Sequence, residues 1–146
     1  MNKKLPILIA FLAGIFWIQA QGPVRDRIKT LKVAFITERV GLTSKEAQQF
    51  WPIYNEHEAV LEDIRQRERS ELHSRMPLAQ NLSDDDADEL LNNLLALQFE
   101  KEKADRQFIT DIRTVIPAKK VLLLLRAEED FKKQLLETYR KRRGGG

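Results

Sequence analysis

From residue 21 onward, apolar positions recur at intervals of three and four, and no stretch alternates apolar with polar as a half-buried strand would. With only five prolines and six glycines, the chain has little to interrupt that period. The pattern predicts an all-α chain of four helices. The first runs from about Pro23, well suited to a first helical position, to Val40, with Gly41 as its stop. At about 100° per residue, Val24, Ile28, Leu31 and Phe35 share a narrow arc, and Val33, Ile36 and Val40 lie nearly opposite. A helix that is apolar on two sides needs cover on two sides, and in so small a protein a second copy of the chain is the natural cover.

The second helix begins at a capping box, Leu42-Thr43-Ser44-Lys45-Glu46. The Thr43 hydroxyl is placed to accept from the Glu46 N–H, the Glu46 carboxylate to accept from the Thr43 N–H, and Leu42 sits in the staple position. Phe50, Ile53, Tyr54, His57, Val60, Leu61 and Ile64 then form one stripe about 120° wide. The stripe passes through Pro52 without changing phase, so Pro52 is expected to kink a continuous helix and free the Gln48 carbonyl. Beyond Ile64 the segment "RQRERSE" is polar all round and is expected to meet solvent.

A turn over "SRMPLAQN" (74 to 81) leads to Ser83, the cap of the third helix, whose first turns hold Asp84, Asp85, Asp86, Asp88 and Glu89, where the dipole favours acid. Leu90, Leu91, Leu94, Leu97, Phe108, Ile109, Ile112 and Val115 are assigned to its buried face, interrupted by Gln98, Lys101 and Asp105. The fourth helix opens at Pro117, with Val121, Leu124, Leu125, Phe131, Leu135, Leu136 and Tyr139 on a broad face and Leu123 pointing away. The middle helices, about 31 and 33 residues, would each span roughly 45–50 Å. They are expected to form a long antiparallel hairpin with shorter N- and C-terminal helices. So slender a protomer has little core of its own, and dimerisation would remedy that.

The first 20 residues change the picture of compartment. A basic head with Lys3 and Lys4 precedes an apolar run, "LPILIAFLAGIFWI" (5 to 18), and Ala20 is a small residue at the expected cut. This is the build of a secretory signal peptide. The alternative, an uncleaved membrane anchor, needs roughly 18 or more apolar residues, more than this run offers. The chain therefore divides into a signal peptide (1–20), a helical domain (21–140) and a basic, glycine-ended tail (141–146). Removing residues 1–20 takes two of the 25 Lys+Arg and no acid, leaving 23 against 22 Asp+Glu, a net charge of +1. The terminal "YRKRR" suits a helix C-terminus, where the dipole favours cations. It could also suggest nucleic acid, but an exported protein rarely meets any. The chain has no cysteine, so no disulfide supports the fold.

Leu42-Thr43-Ser44-Lys45-Glu46 resembles the LTxxQ motif of the Spy/CpxP-like periplasmic proteins, with Glu46 where that family usually has Gln. The second copy of the motif would fall at Ile116-Pro117-Ala118-Lys119-Lys120, which lacks the Thr and the Gln. "AQQFWPIYNE" and "AEEDFKKQLLETYRKRR" are similar to a branch often labelled sensor of an extracytoplasmic sigma factor, or heavy-metal-resistance-like. The resemblance implies a four-helix protomer paired into a bent, cradle-like dimer in the periplasm. Members bind unfolded proteins, restrain an envelope stress sensor or report metal ions, and a bent long helix would give Pro52 its purpose.

Signatures of enzymatic nucleophiles, phosphate-binding glycine loops and metalloproteases are absent from the sequence, so a non-enzymatic protein without a cofactor is expected. The two histidines, His57 and His73, lie 16 residues apart on one helix, about 160° and ~24 Å from each other, and cannot share an ion within one chain. Antiparallel pairing would bring His57 near Gln98, Lys101 and Asp105. The candidate metal ligands are accordingly His57, Glu56 and Asp105, against the alternative of a hydrogen-bonded structural histidine. For protein binding the candidates are Phe50, Trp51 and Tyr54 as an apolar patch with Arg65, Arg67 and Arg69 as its polar rim; the alternative is ordinary packing. Leu42, Thr43, Glu46 and Pro52 are the structural motif. The expected function is exported, chaperone-like or stress-sensing binding of unfolded or regulatory proteins by a homodimer, without nucleic acid or stable membrane insertion; a metal-responsive sensor is the alternative.

Overall fold

A computed structural model describes residues 22–144; the expected leader lies outside them. Among the described residues all regular structure is helical. The elements are α1 (Gly22–Val40), α2 (Ser44–Arg75), a 3-10 segment (Met76–Asn81), α3 (Asp84–Ile112) and α4 (Ala118–Gly144). The four-helix, all-α expectation holds. At 27 residues α4 is nearly as long as the 29-residue α3, and its helix continues through residues 141–144, which the sequence pattern assigned to a tail.

The helix ends follow from local chemistry. Gly41 adopts φ +67°, which favours glycine, and its N–H donates to the carbonyls of Thr37 (3.1 Å) and Glu38 (3.2 Å), closing α1. The capping box of α2 is complete: the Thr43 N–H donates to Glu46 Oε2 at 2.8 Å, and the Glu46 N–H donates to Thr43 Oγ1 at 3.2 Å. At the start of α3, Ser83 accepts from the Asp86 N–H at 3.1 Å. Pro52 lies inside an unbroken α2. Both Pro52 and Gln48 are exposed, so water can solvate the carbonyl that has lost its donor. The end of α3 comes three residues before the expected Val115. The residue before a proline is biased away from helical geometry, and Pro117 follows closely. The chain leaves α3 in a tight turn, with the Val115 and Ile116 N–H groups both donating to the Ile112 carbonyl at 3.0 Å.

The described chain divides into two compact units, residues 42–122 and a unit of residues 22–41 with 123–144, the division falling inside α4. In the first, α2 and α3 form the hairpin. Phe50, Tyr54, Leu61 and Ile64 of α2 are buried, as are Leu90, Leu97, Phe108 and Ile112 of α3, with Ile116 and Val121 completing the core. Burial of a side chain such as Phe50 or Ile112 contributes roughly 1.5–3 kcal/mol. In the other unit, Ile36, Val40, Leu124 and Ala127 are buried, and the rings of Phe35 and Phe131 meet at 5.6 Å between centroids. Only the C-terminal end of α1 is thus buried; Val24 and Leu31 remain exposed.

One face differs from the sequence pattern. Leu91, expected on the buried side of α3, is 59 % exposed, and Leu95 and Phe99 are 61 % and 69 % exposed. They lie at i, i+4 and i+8 and form a ridge on the side away from Leu90, Leu97 and Phe108.

Candidate functional site: a groove along the helical hairpin

The hairpin carries an open groove of about 580 Å³. Its apolar surface comes from Ile53, Val60 and Ile64 on α2 and from Ala104 and Phe108 on α3. Residues four and seven apart on one helix lie on one face, so α2 lines one wall by the spacing of Ile53, His57, Val60 and Ile64. On α3 the same rule brings Glu100, Lys103, Gln107 and Asp111 to the opposite edge; Thr114 joins them from the turn after α3, and Glu56 adds a carboxylate from α2. The result is an apolar floor with a polar, predominantly acidic rim, the form expected of a surface that takes apolar segments without demanding one sequence.

His57 sits in this lining. Its ring stacks on Phe108 at 4.3 Å with 6° between planes, and Nε2 lies 3.3 Å from Asp105 Oδ1. Lys101 Nζ approaches the other oxygen of Asp105 at 3.2 Å. Burial of the imidazole pushes its pKa below the ordinary value; Asp105 and then Glu58 oppose that shift, while Arg65 and Lys101 reinforce it. The lowered pKa favours the neutral ring at pH 7, with Nε2 facing the Asp105 carboxylate. The neighbourhood of His57, Lys101 and Asp105 is thus the one antiparallel pairing anticipated. Glu56 lines the same groove. Among the described residues, however, no group of three or more His, Cys, Asp or Glu side chains comes together to hold a metal ion.

The six residues put forward for partner binding are placed differently from one another. Phe50 and Tyr54 are buried; their rings stack at 5.5 Å, and Tyr54 meets Phe108 edge-on at 6.0 Å. Trp51 is half-buried, edge-on to Phe50 at 4.9 Å and to Tyr54 at 5.2 Å. The arginines engage carboxylates. Arg65 reaches Glu62 at 3.2 Å, and Arg69 reaches Glu62 at 3.0 Å. Arg67 pairs with Asp63 at 3.0 Å and spans the hairpin to both oxygens of Glu100. That bidentate pair holds the Glu100 carboxyl below the usual carboxylate range. None of the six lines the groove; Ile53 and Val60, which do, were legible only as members of the α2 stripe.

The motif residues form a second cluster. Beyond its capping role, the Glu46 carboxylate accepts from Lys120 Nζ at 2.7 Å, tying the start of α2 to the start of α4. Its pKa is lowered first by the Lys120 hydrogen bond and then by the Thr43 N–H. A contact across 74 residues leaves no periodic trace in the sequence. No protein-family model, curated protein or solved structure matches the chain.

Proposed function

We propose that this chain is an exported, non-catalytic interaction protein of the envelope stress response that binds apolar segments of unfolded or regulatory proteins along the α2–α3 groove. The observation that carries this reading is the groove itself, an apolar floor of Ile53, Val60, Ala104 and Phe108 with a polar rim. Weak, sequence-tolerant binding suits such a surface, because apolar burial is non-directional and a polar rim stays hydrated. The exported setting rests on the basic head and apolar run of residues 1–20, and the stress-response setting on the resemblance of the Thr43 to Glu46 motif. No described helix is long and apolar enough to cross a membrane.

Self-association belongs to the same proposal. The exposed ridge of Leu91, Leu95 and Phe99 gives a second copy an apolar seam.

The test is suppression of aggregation of a chemically unfolded client by the purified protein. Val60 is 44 % exposed in the groove, so Val60→Lys should fold normally. Loss of suppression by V60K with an unchanged helical spectrum is the expected result. Full activity of V60K, or no suppression by the parent protein, overturns the proposal.

A further inference from the structure

The unit formed by α1 and the later part of α4 has a groove of its own, of about 460 Å³. Its floor is built from Ile28, Leu31 and Phe35 on α1 and Phe131 and Leu135 on α4. Arg27 precedes Phe35 by eight residues and Arg142 follows Phe131 by eleven. Back along α1 and forward along α4 from the Phe35–Phe131 contact, a rise of about 1.5 Å per residue sets Arg27 and Arg142 about 12–17 Å along the helix axes toward the same end, and both line the groove.

The electrostatics are one-sided. Among the described residues, no Asp or Glu lines this groove. In the hairpin Arg65, Arg67, Arg69 and Arg75 all meet carboxylates, whereas neither Arg27 nor Arg142 has a carboxylate partner among the described residues. Unpaired guanidiniums beside apolar side chains suit a ligand with a long apolar body and a planar anionic head.

We propose that this groove binds a single-chain anionic amphiphile, a long-chain carboxylate, its tail along the Ile28, Leu31 and Leu135 floor and its head between Arg27 and Arg142. A docked helix is a poorer occupant: at 10–12 Å across, a stretch ~17 Å long fills well over 1,000 Å³. The chain's own first 20 residues are also disfavoured, because their only charged side chains, Lys3 and Lys4, have the same sign as the two arginines.

The test is titration of the full chain with cis-parinaric acid below its micelle concentration, followed by displacement with palmitate or hexadecylamine. Saturable binding at one site per chain is expected, with palmitate displacing the probe at least about tenfold more effectively than the amine. The double variant Arg27→Gln, Arg142→Gln should weaken binding by about tenfold or more with an unchanged thermal melt. Leu31→Trp, at an exposed position in the trough, should block it. Equal displacement by palmitate and amine, indifference to both variants, or absence of saturable binding overturns the proposal. So does binding confined to anionic phosphatidylglycerol vesicles, which would make the basic face a membrane contact.

Discussion

The two units are made of the same kind of helix and carry opposite charge. Over the described residues the hairpin unit has 11 Lys+Arg against 16 Asp+Glu, and the α1/α4 unit has 12 against 6. The arrangement of that charge differs more than its sign. The arginines of α2 are matched along α2 and across to α3, leaving the groove an acidic edge. Arg27 and Arg142 instead stand beside exposed apolar side chains. Residue type alone thus does not decide whether an arginine has a carboxylate partner; its neighbours along the helix and across the hairpin do. The cores differ as well: ten of the fourteen buried apolar residues belong to the hairpin unit, which makes it the main reservoir of stability.

The sharpest break between the units is expected in the core. Phe50→Ala empties a fully buried position at the centre of the aromatic cluster and should destabilise the protein by about 3–5 kcal/mol. Leu31→Ala, at an exposed position in the other unit, should change stability by about 0.5 kcal/mol or less. Urea denaturation measures both, and comparable losses would show that stability is shared evenly.

Acid should act next, through the hairpin. The folded pKa of His57 lies below its unfolded value of 6.5, so the unfolded chain binds the extra proton first. The stability contributed by the neutral ring is full above that value and is lost as pH falls through 6.5 toward the folded pKa. The melting temperature should therefore fall between pH 7 and pH 5, and His57→Gln should flatten that slope. A slope unchanged by H57Q would assign the effect elsewhere.

A smaller effect is expected at Glu46, whose folded pKa is depressed, so its contribution is present above 4.5 and is lost as pH falls below it. Glu46→Gln keeps a cap for the Thr43 N–H and gives up only the Lys120 ion pair, whereas Glu46→Ala gives up both. Thermal melts should rank the parent above E46Q and E46Q above E46A. A Gln variant as unstable as the Ala variant would make the ion pair the dominant interaction. Least of all, Arg67→Gln should leave the melting temperature almost unchanged, because exposed pairs contribute little.

Much of the fold was legible because it is written locally. Thr43 and Glu46 announce a helix start by themselves, Gly41 stops one, and the unbroken phase of the stripe through Pro52 shows that α2 continues. The approach of His57 to Asp105 was also legible, since an antiparallel hairpin with a short connection fixes which residues face each other. The site was less so. The α2 stripe contains Phe50 and Tyr54 but does not reveal which of its members are sealed in the core and which, like Ile53 and Val60, line an open groove, and Leu91 turns about 100° away from Leu90, off the buried stripe of α3. Lys103, Gln107 and Asp111 look like ordinary solvated residues until α2 is laid beside α3. Lys120 has no local signal pointing to Glu46.

Whether the hairpin groove receives clients is tested most directly by a photocrosslinking amino acid placed in the full chain, in turn, at position 60 in the groove and at position 136 on an exposed part of α4. Irradiation with an unfolded client should give an adduct from position 60 and little from position 136. Adducts of equal yield from both positions, or from position 136 alone, would contradict the assignment of binding to the groove.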